Sequence, residues 1–276
     1  MNKKSIPIYL AMVFFLSSCM SVIKKEDVLL QAQQIKAATP PELISTSIPK
    51  HTSLPNSEKL VYKAKYLGIT IGEYIILNKG KTTLNGQEAY HFELIVKVLP
   101  FFAQIFKAAK LRYVSYMDTQ KLRVLRHEEY IHGGTLLESA VDFDYLNHTA
   151  SYKNFINLRE EKVAIPDQIL DTISGGFYLR MVPWSLGDTL EINIYADEKI
   201  YSYIGLLHSK IIIDVPANGK QEAYLLKPYL FIDGEQITKI SAEIFLFSGA
   251  SRKPLRAVLR TRFGNIRVVL TEGFKD

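Results

Sequence analysis

The strongest constraint in this 276-residue chain is a two-residue hydrophobic alternation that recurs from residue 58 onward. Successive side chains of an extended strand point to opposite faces, so alternation marks strands with one buried and one wet face. In Ala89–Val98, Tyr90, Phe92, Leu94, Val96 and Val98 share a face opposite His91, Glu93 and Lys97, with Ile95 out of pattern. Ser139–Tyr145 sets Val141, Phe143 and Tyr145 against Ala140, Asp142 and Asp144. Leu60–Tyr66 sets Tyr62, Ala64 and Tyr66 against Lys63 and Lys65. Further strands are expected over 70–79, 111–118, 121–131, 149–157, 189–196, 199–214, 222–230, 237–247, 254–263 and 265–272. Turn pairs fall between them: Asn85-Gly86, Gly133-Gly134, Gly187-Asp188, Asn218-Gly219, Asp233-Gly234 and Gly264-Asn265. About a dozen strands exceed what a flat open sheet usually holds. The expected fold is mainly β, a curved antiparallel sheet closing to a barrel or half-barrel.

Two segments change the period. The bulky residues of Pro100–Lys110 and of Asp167–Met181 recur at helical spacing, the second after Pro166 and weakened by Gly175-Gly176. They predict one or two short helices packed on the sheet.

The N-terminus carries a different signal. Lys3 and Lys4 precede an apolar run from Ile6 to Leu16, too short to span a bilayer comfortably and of export-signal length. Leu16-Ser17-Ser18-Cys19 follows, and Cys19 is the only cysteine in the chain. Intrachain disulfides and cysteine-based metal sites are therefore excluded. Leu-Ser-Ser-Cys resembles the bacterial lipobox, which implies cleavage before Cys19 and acylation of its thiol with palmitate-type chains. Such an anchor holds a protein stably at a membrane. Removing Lys3 and Lys4 takes the net charge from +6 to +4, or 32 basic against 28 acidic side chains. Met20, where an Asp would favour the inner membrane, points to the outer membrane facing the periplasm. The expected organisation is a signal peptide over 1–18, a lipidated N-terminus with a Pro/Ser/Thr-rich tether over 19–57, and one β-rich domain over 58–276. A short helix is expected within 20–38, and Pro40, Pro41, Pro49 and Pro55 punctuate the tether.

Candidate chemistry is sparse. His127 and His132 lie five apart, where a zincin needs four, and on a strand they face opposite ways, so they read as a solvated strand end. Asp142 and Asp144 share a strand face about 7 Å apart, a separation glycoside hydrolysis can use if one carboxyl is kept protonated. Asp171, Ser174 and Arg180 share the predicted second helix. Arg180 is a candidate anion contact there, with a helix cap and a buried salt bridge as the structural reading. Arg256, Arg260 and Arg262 share strand parity and could meet anionic lipid, lipopolysaccharide or glycan. Neither a P-loop nor a dinucleotide-binding glycine pattern is present.

Four places carry a resemblance to a family. These are Glu58–Tyr62 through Gly72; Val141-Asp142-Phe143-Asp144; Asp167–Ser174 with Phe177-Tyr178-Leu179-Arg180 and Gly187; and Arg252-Lys253-Pro254-Leu255 with Phe263-Gly264-Asn265-Ile266. In order, they resemble the bacterial envelope family catalogued as domain of unknown function 3108. The chain departs at Phe247–Ser251, where members carry an acidic turn residue. The resemblance implies an antiparallel β fold in exported proteins, and structural roles for Asp171, Ser174, Tyr178, Arg180, Gly187, Pro254 and Gly264. It lends no chemistry. The expectation is a non-enzymatic envelope lipoprotein for binding or assembly, needing no metal or cofactor. Its partners would be the membrane, through the anchor, and a lipid, lipopolysaccharide or envelope protein, but not nucleic acid. A concave face lined by Tyr62, Tyr66, Tyr90, Phe92, Phe143 and Tyr145 could hold an apolar ligand if it opens a cavity of a few hundred Å³. The alternatives are an envelope enzyme using Asp142/Asp144 or Asp171/Ser174, and a scaffold of an envelope complex.

Overall fold

The computed structural model describes residues 25–38, 54–99, 110–131, 134–216, 218–237, 241–261 and 264–274. The leader with Cys19, most of the tether, all but the last residue of the helix expected over Pro100–Lys110, His132 and Arg262 lie outside them. The described residues form two helices, α1 (Lys25–Ala38) and α2 (Thr172–Met181), and sixteen strands. The strands are β1 (Glu58–Tyr66), β2 (Ile69–Leu84), β3 (Gln87–Val98), β4 (Lys110–Asp118), β5 (Val124–Ile131), β6 (Leu136–Asp144), β7 (Thr149–Asn154) and β8 (Glu160–Ala164). There follow β9 (Leu170–Asp171), β10 (Thr189–Ala196), β11 (Lys199–Val215), β12 (Gly219–Ile232), β13 (Glu235–Gln236), β14 (Ser241–Phe247), β15 (Pro254–Thr261) and β16 (Gly264–Glu272).

All sixteen belong to one sheet, ordered β8-β7-β6-β5-β4-β3-β2-β1-β16-β15-β14-β12-β11-β10-β9, with β13 paired to β12. Every pair is antiparallel except β9 with β10. The hairpin chemistry is as expected: Asn85-Gly86 and Asp233-Gly234 put both residues at positive φ, as tight I′ turns need. Asp197-Glu198 does the same without a glycine, so no turn pair marks it in the sequence. The three unexpected strands, β8, β9 and β13, are too short for alternation to show.

The sheet curls but does not close into a hydrogen-bonded ring; its ends lap. On β10, Ile192, Ile194 and Ala196 point into the main core, while Tyr195 points the other way. Tyr195 packs against Val141, Phe143 and Ala150 of β6 and β7, meeting Phe143 edge to face at 5.3 Å. The β6–β8 end therefore covers the outer face of β10. One backbone bond, from Val124 N–H to Ile169 O at 3.0 Å, ties β5 to the segment entering β9.

The second helix plugs the curve. It begins later than Pro166 suggested, because residues 170–171 pair with β10 first. Phe177 stacks on Phe92 at 3.8 Å between centroids. Gly175 is required by close approach: a Cβ there would sit 2.8 Å from Ile194 Cδ1. The aromatic strand faces are thus packed, with Tyr62, Phe92 and Phe143 buried and Tyr66, Tyr90 and Tyr145 packed at the cluster edges. Two surface clefts, of about 320 and 370 Å³, adjoin Arg126, Asp142 and Phe143 in one case and Lys25, Glu191 and Asp233 in the other. The aromatic row expected to line an apolar ligand is packed with side chains of its own, as in other small barrels.

The helix expected within 20–38 is present, and it is docked. Val28 and Ala32 are buried against Ile204, Leu206 and Phe231 on the outer face of β11 and β12. Lys25 pairs with Glu191 and Lys36 with Asp188, both at 2.7 Å. Gly187, at φ +79, lies directly under it: a Cβ would come within 2.9 Å of the Lys36 nitrogen. The proline-rich stretch therefore connects α1 to β1, and does not lie between Cys19 and the domain. No described helix is long and apolar enough to cross a membrane.

The plug sets a stability expectation. Phe177→Ala should cost about 3–5 kcal/mol in urea unfolding, whereas Phe155→Ala at an exposed turn should change the midpoint little.

Candidate functional site

The polar chemistry concentrates at the two ends of α2. At the N-terminal end, Asp171 is the cap: its Oδ1 accepts from the backbone N–H groups of Ile173 and Ser174 at 2.9 and 2.7 Å. The Ser174 hydroxyl donates to the same oxygen at 2.8 Å and accepts from the Asp171 N–H at 3.0 Å, a reciprocal capping box. The other carboxylate oxygen meets His127 Nδ1 of β5 at 2.9 Å. Beyond the ring, His127 Nε2 lies 3.6 Å from Glu129 Oε1, and Glu129 Oε2 accepts from Ser139 at 3.2 Å. His127 and Asp171 are 5% and 2% exposed, which corrects the solvated reading of His127.

Burial alone would push the His127 ring down, but the carboxylates of Asp171 and Glu129 outweigh it and hold it up to about 10. Burial likewise opposes the charge on Asp171, yet hydrogen bonding to His127 and Ser115 and from the helix keeps it below the ordinary carboxylate range. The pair is thus ionic. It does not form a nucleophilic triad, because Ser174 contacts the carboxylate and not the imidazole. Nearby, Asp197 on the β10–β11 turn is pushed up to about 7, chiefly by burial and then by Glu129 and Glu198.

At the other end, the Arg180 guanidinium grips Glu58 of β1 through two bonds, at 2.6 and 3.0 Å. Its Nε donates to Ser251 O at 3.1 Å, and Lys253 stands 3.7 Å from the same carboxylate. Arg180, Glu58 and Lys253 side chains are all 6% exposed or less. Next to them, Tyr62 donates to Pro254 O at 2.8 Å. Arg180 is therefore a helix-to-sheet clamp, and its expected contact with a bound anion is corrected: three of its donors are taken inside the protein.

The remaining candidates are dispersed. Asp142 pairs with Arg126 at 2.5 Å on the surface. Asp144 caps the β6–β7 turn, where hydrogen bonds from Asn147 and the backbone hold it below the ordinary carboxylate range. That is the reverse of what a general acid needs. Arg260 pairs with Glu243 at 2.7 Å, and Arg256 lies over the Phe245 ring at 4.5 Å. Tyr178 packs on the core cluster, and Gly264 sits against Tyr66. No group of three metal-ligating side chains occurs among the described residues. Glu58 and Lys253 stood in the family-like motifs without a role, and Glu129 and Asp197 carried no signal, since each gains meaning only from partners far along the chain.

With this geometry in place, one comparison gives the family. Residues 61–271 match the family described as protein of unknown function (DUF3108), and the chain belongs to that family. No curated protein matches it. Its fold is similar to a β-barrel-like protein of the domain of unknown function DUF1849 from Brucella abortus, at 8% identity and a TM-score of 0.50, over 82% of this chain and 100% of that one. Weaker likeness extends to a candidate lipoprotein of Parabacteroides distasonis (11% identity, TM-score 0.36, 81% of this chain and 99% of that one). A candidate exported protein with a YmcC-like fold from Bacteroides fragilis gives 10% identity and a TM-score of 0.30, over 82% and 99%.

Two pH expectations follow from the buried acids and base. His127 has a folded value of about 10 against an ordinary 6.5, so its contribution is complete below about 6.5 and is lost as pH climbs through 10. Asp171, shifted the other way from 3.8, loses its contribution only as pH falls through its lowered folded value. Urea midpoints should therefore decline between pH 6.5 and 10 in the native chain, and decline less in His127→Gln. Asp197, raised from 3.8 to about 7, opposes folding once ionised. Asp197→Asn, which keeps a residue tolerant of positive φ, should raise the midpoint at pH 8 and leave it unchanged near pH 4.

Proposed function

We propose that this chain is an exported bacterial lipoprotein, anchored through Cys19 at the periplasmic face of the outer membrane. Its β domain binds or assembles through its outer surface and carries no ligand inside. The anchor rests on Lys3 and Lys4, the apolar run from Ile6 to Leu16, and Leu16-Ser17-Ser18-Cys19. The surface mode rests on one observation above the others. Phe177 of α2 stacks on Phe92 at 3.8 Å, filling the space an acyl chain would occupy. Buried polar groups such as Asp171, Ser174 and Arg180 serve the cap and the clamp, which favours a binding or scaffolding role over catalysis.

In a Gram-negative host, the full chain should fractionate with membranes and take up a palmitate analogue. Cys19→Ala should lose the label and shift to the soluble fraction. Labelling that survives the substitution would overturn the anchor. An acyl ligand co-purifying with the Cys19→Ala protein in native mass spectrometry would overturn the filled interior.

A further inference from the structure

We infer that one rim of the curled sheet is a docking surface for an anionic phospholipid bilayer. The inference rests on the lipid-anchored reading above and assigns the face that meets the membrane.

In an antiparallel sheet, turns alternate between two rims. The β1–β2, β5–β6, β7–β8, β10–β11 and β12–β13 turns and the end of β3 fall on one rim, and the β2–β3, β4–β5, β6–β7 and β11–β12 turns on the other. Over the β1–β8 half the two rims differ in chemistry, while Asp197-Glu198 and Asp233-Gly234 keep the far side of the first rim polar. Of the eleven exposed large hydrophobic side chains among the described residues, seven belong to the first rim. They include Leu67 and Ile69 at 75% and 62% exposure, and Ile156 and Leu158 at 54% and 78%. The second rim has one, Leu146, among turn residues such as Asn85-Gly86, Thr119-Gln120 and Asn147-His148. Tips of water-facing turns are normally polar, so a row of apolar tips marks a contact surface.

Charge on the same rim selects the occupant. Lys65 of β1 lies directly opposite Arg267 of β16, just below the Leu67 tip. Like charges in that position repel, and neither has a carboxylate partner among the described residues. Lys63, exposed on the same face, adds a third cation. Apolar tips above a basic belt match a bilayer interface, where acyl chains take the tips and anionic headgroups the cations.

The direction of α1 is an independent pointer. Its Lys36 end sits on Asp188 at the start of β10. Its Lys25 end lines a cleft with Asn193, Ser202 and Asp233, under the β12–β13 turn of the first rim. Cys19 precedes Lys25 by six residues, a covalent reach of at most about 20 Å. An acylated Cys19 therefore holds this rim, and not the other, close to the lipid.

The test places single cysteines in the full, acylated chain, whose own Cys19 sulfur is then blocked by its lipid. Ile69→Cys, Ile156→Cys and, on the opposite rim, Leu146→Cys are labelled with an environment-sensitive fluorophore. Each protein is reconstituted in vesicles of phosphatidylethanolamine and phosphatidylglycerol. The expected result is a blue shift and several-fold quenching by bromolipids at 69 and 156 and none at 146. It should be weakened in vesicles lacking phosphatidylglycerol or in Lys65→Glu/Arg267→Glu. Equal exposure of all three sites, with the anchor present by mass, would overturn the docking surface while leaving the lipoprotein reading intact. Shielding only in native envelopes and not in lipid vesicles would also overturn it, in favour of a protein partner. Absence of the lipid mass on Cys19 would instead defeat the anchor itself.

Discussion

The whole architecture hangs on how a curling sheet deals with its two ends. A closed barrel solves this by hydrogen-bonding first strand to last, which requires strand number and stagger to agree. This sheet laps one end over the other, and a lapped seam has no ladder to fix its position. Besides the Tyr195–Phe143 packing and the single Val124–Ile169 backbone bond, the lap carries a buried ion pair: His127 on β5 and Asp171 at the head of α2 meet at 2.9 Å where the two ends cross. Such a pair is a poor source of net stability, because desolvating two charges offsets most of their attraction. Its contribution is to specify register. A seam shifted by one residue would leave two buried charges without partners, at a cost of several kcal/mol.

The same logic repeats at the tail of α2, where Arg180, Glu58 and Lys253 join the helix to β1 and to the turn before β15. The ten-residue helix is thus pinned at both ends by charge and in the middle by the Phe92–Phe177 stack. Apolar packing would tolerate the plug sliding along the barrel axis. The two polar clamps do not, and together they convert an adaptable hydrophobic fill into a single arrangement.

Much of the fold was legible because alternation is local. Tyr90 to Val98 declares its buried face with no knowledge of its neighbours, and Asn85-Gly86 declares its turn. The cap at Asp171 and the clamp role of Arg180 were legible as types of contact, since both sit at helix ends where such residues belong. Their partners were not. Glu58 lies 122 positions from Arg180, and His127 lies 44 from Asp171. Nothing in Arg126-His127-Glu128-Glu129 distinguishes a buried histidine from a wet one. The concave face shows a subtler limit: alternating aromatics mark which side is apolar, but whether that side is an open pocket depends on a helix arriving from elsewhere in the chain.

The place of β1 in the sheet also dictates an order of assembly. It lies at the centre, between β2 and β16, paired from Val61 with Glu272 to Tyr66 with Ile266. A chain emerging from its N-terminus thus makes the midline strand early and its neighbour more than 190 residues later. The β1–β8 half can form as a meander of local hairpins, but until β16 is synthesised it keeps an open edge along β1, whose Leu60, Val61, Tyr62 and Ala64 are buried in the finished fold. The α1 helix waits as well, because its seat on β11 and β12 is made some 170 residues after it. A truncation that removes only β16 would leave the middle of the molecule, not its margin, unfinished.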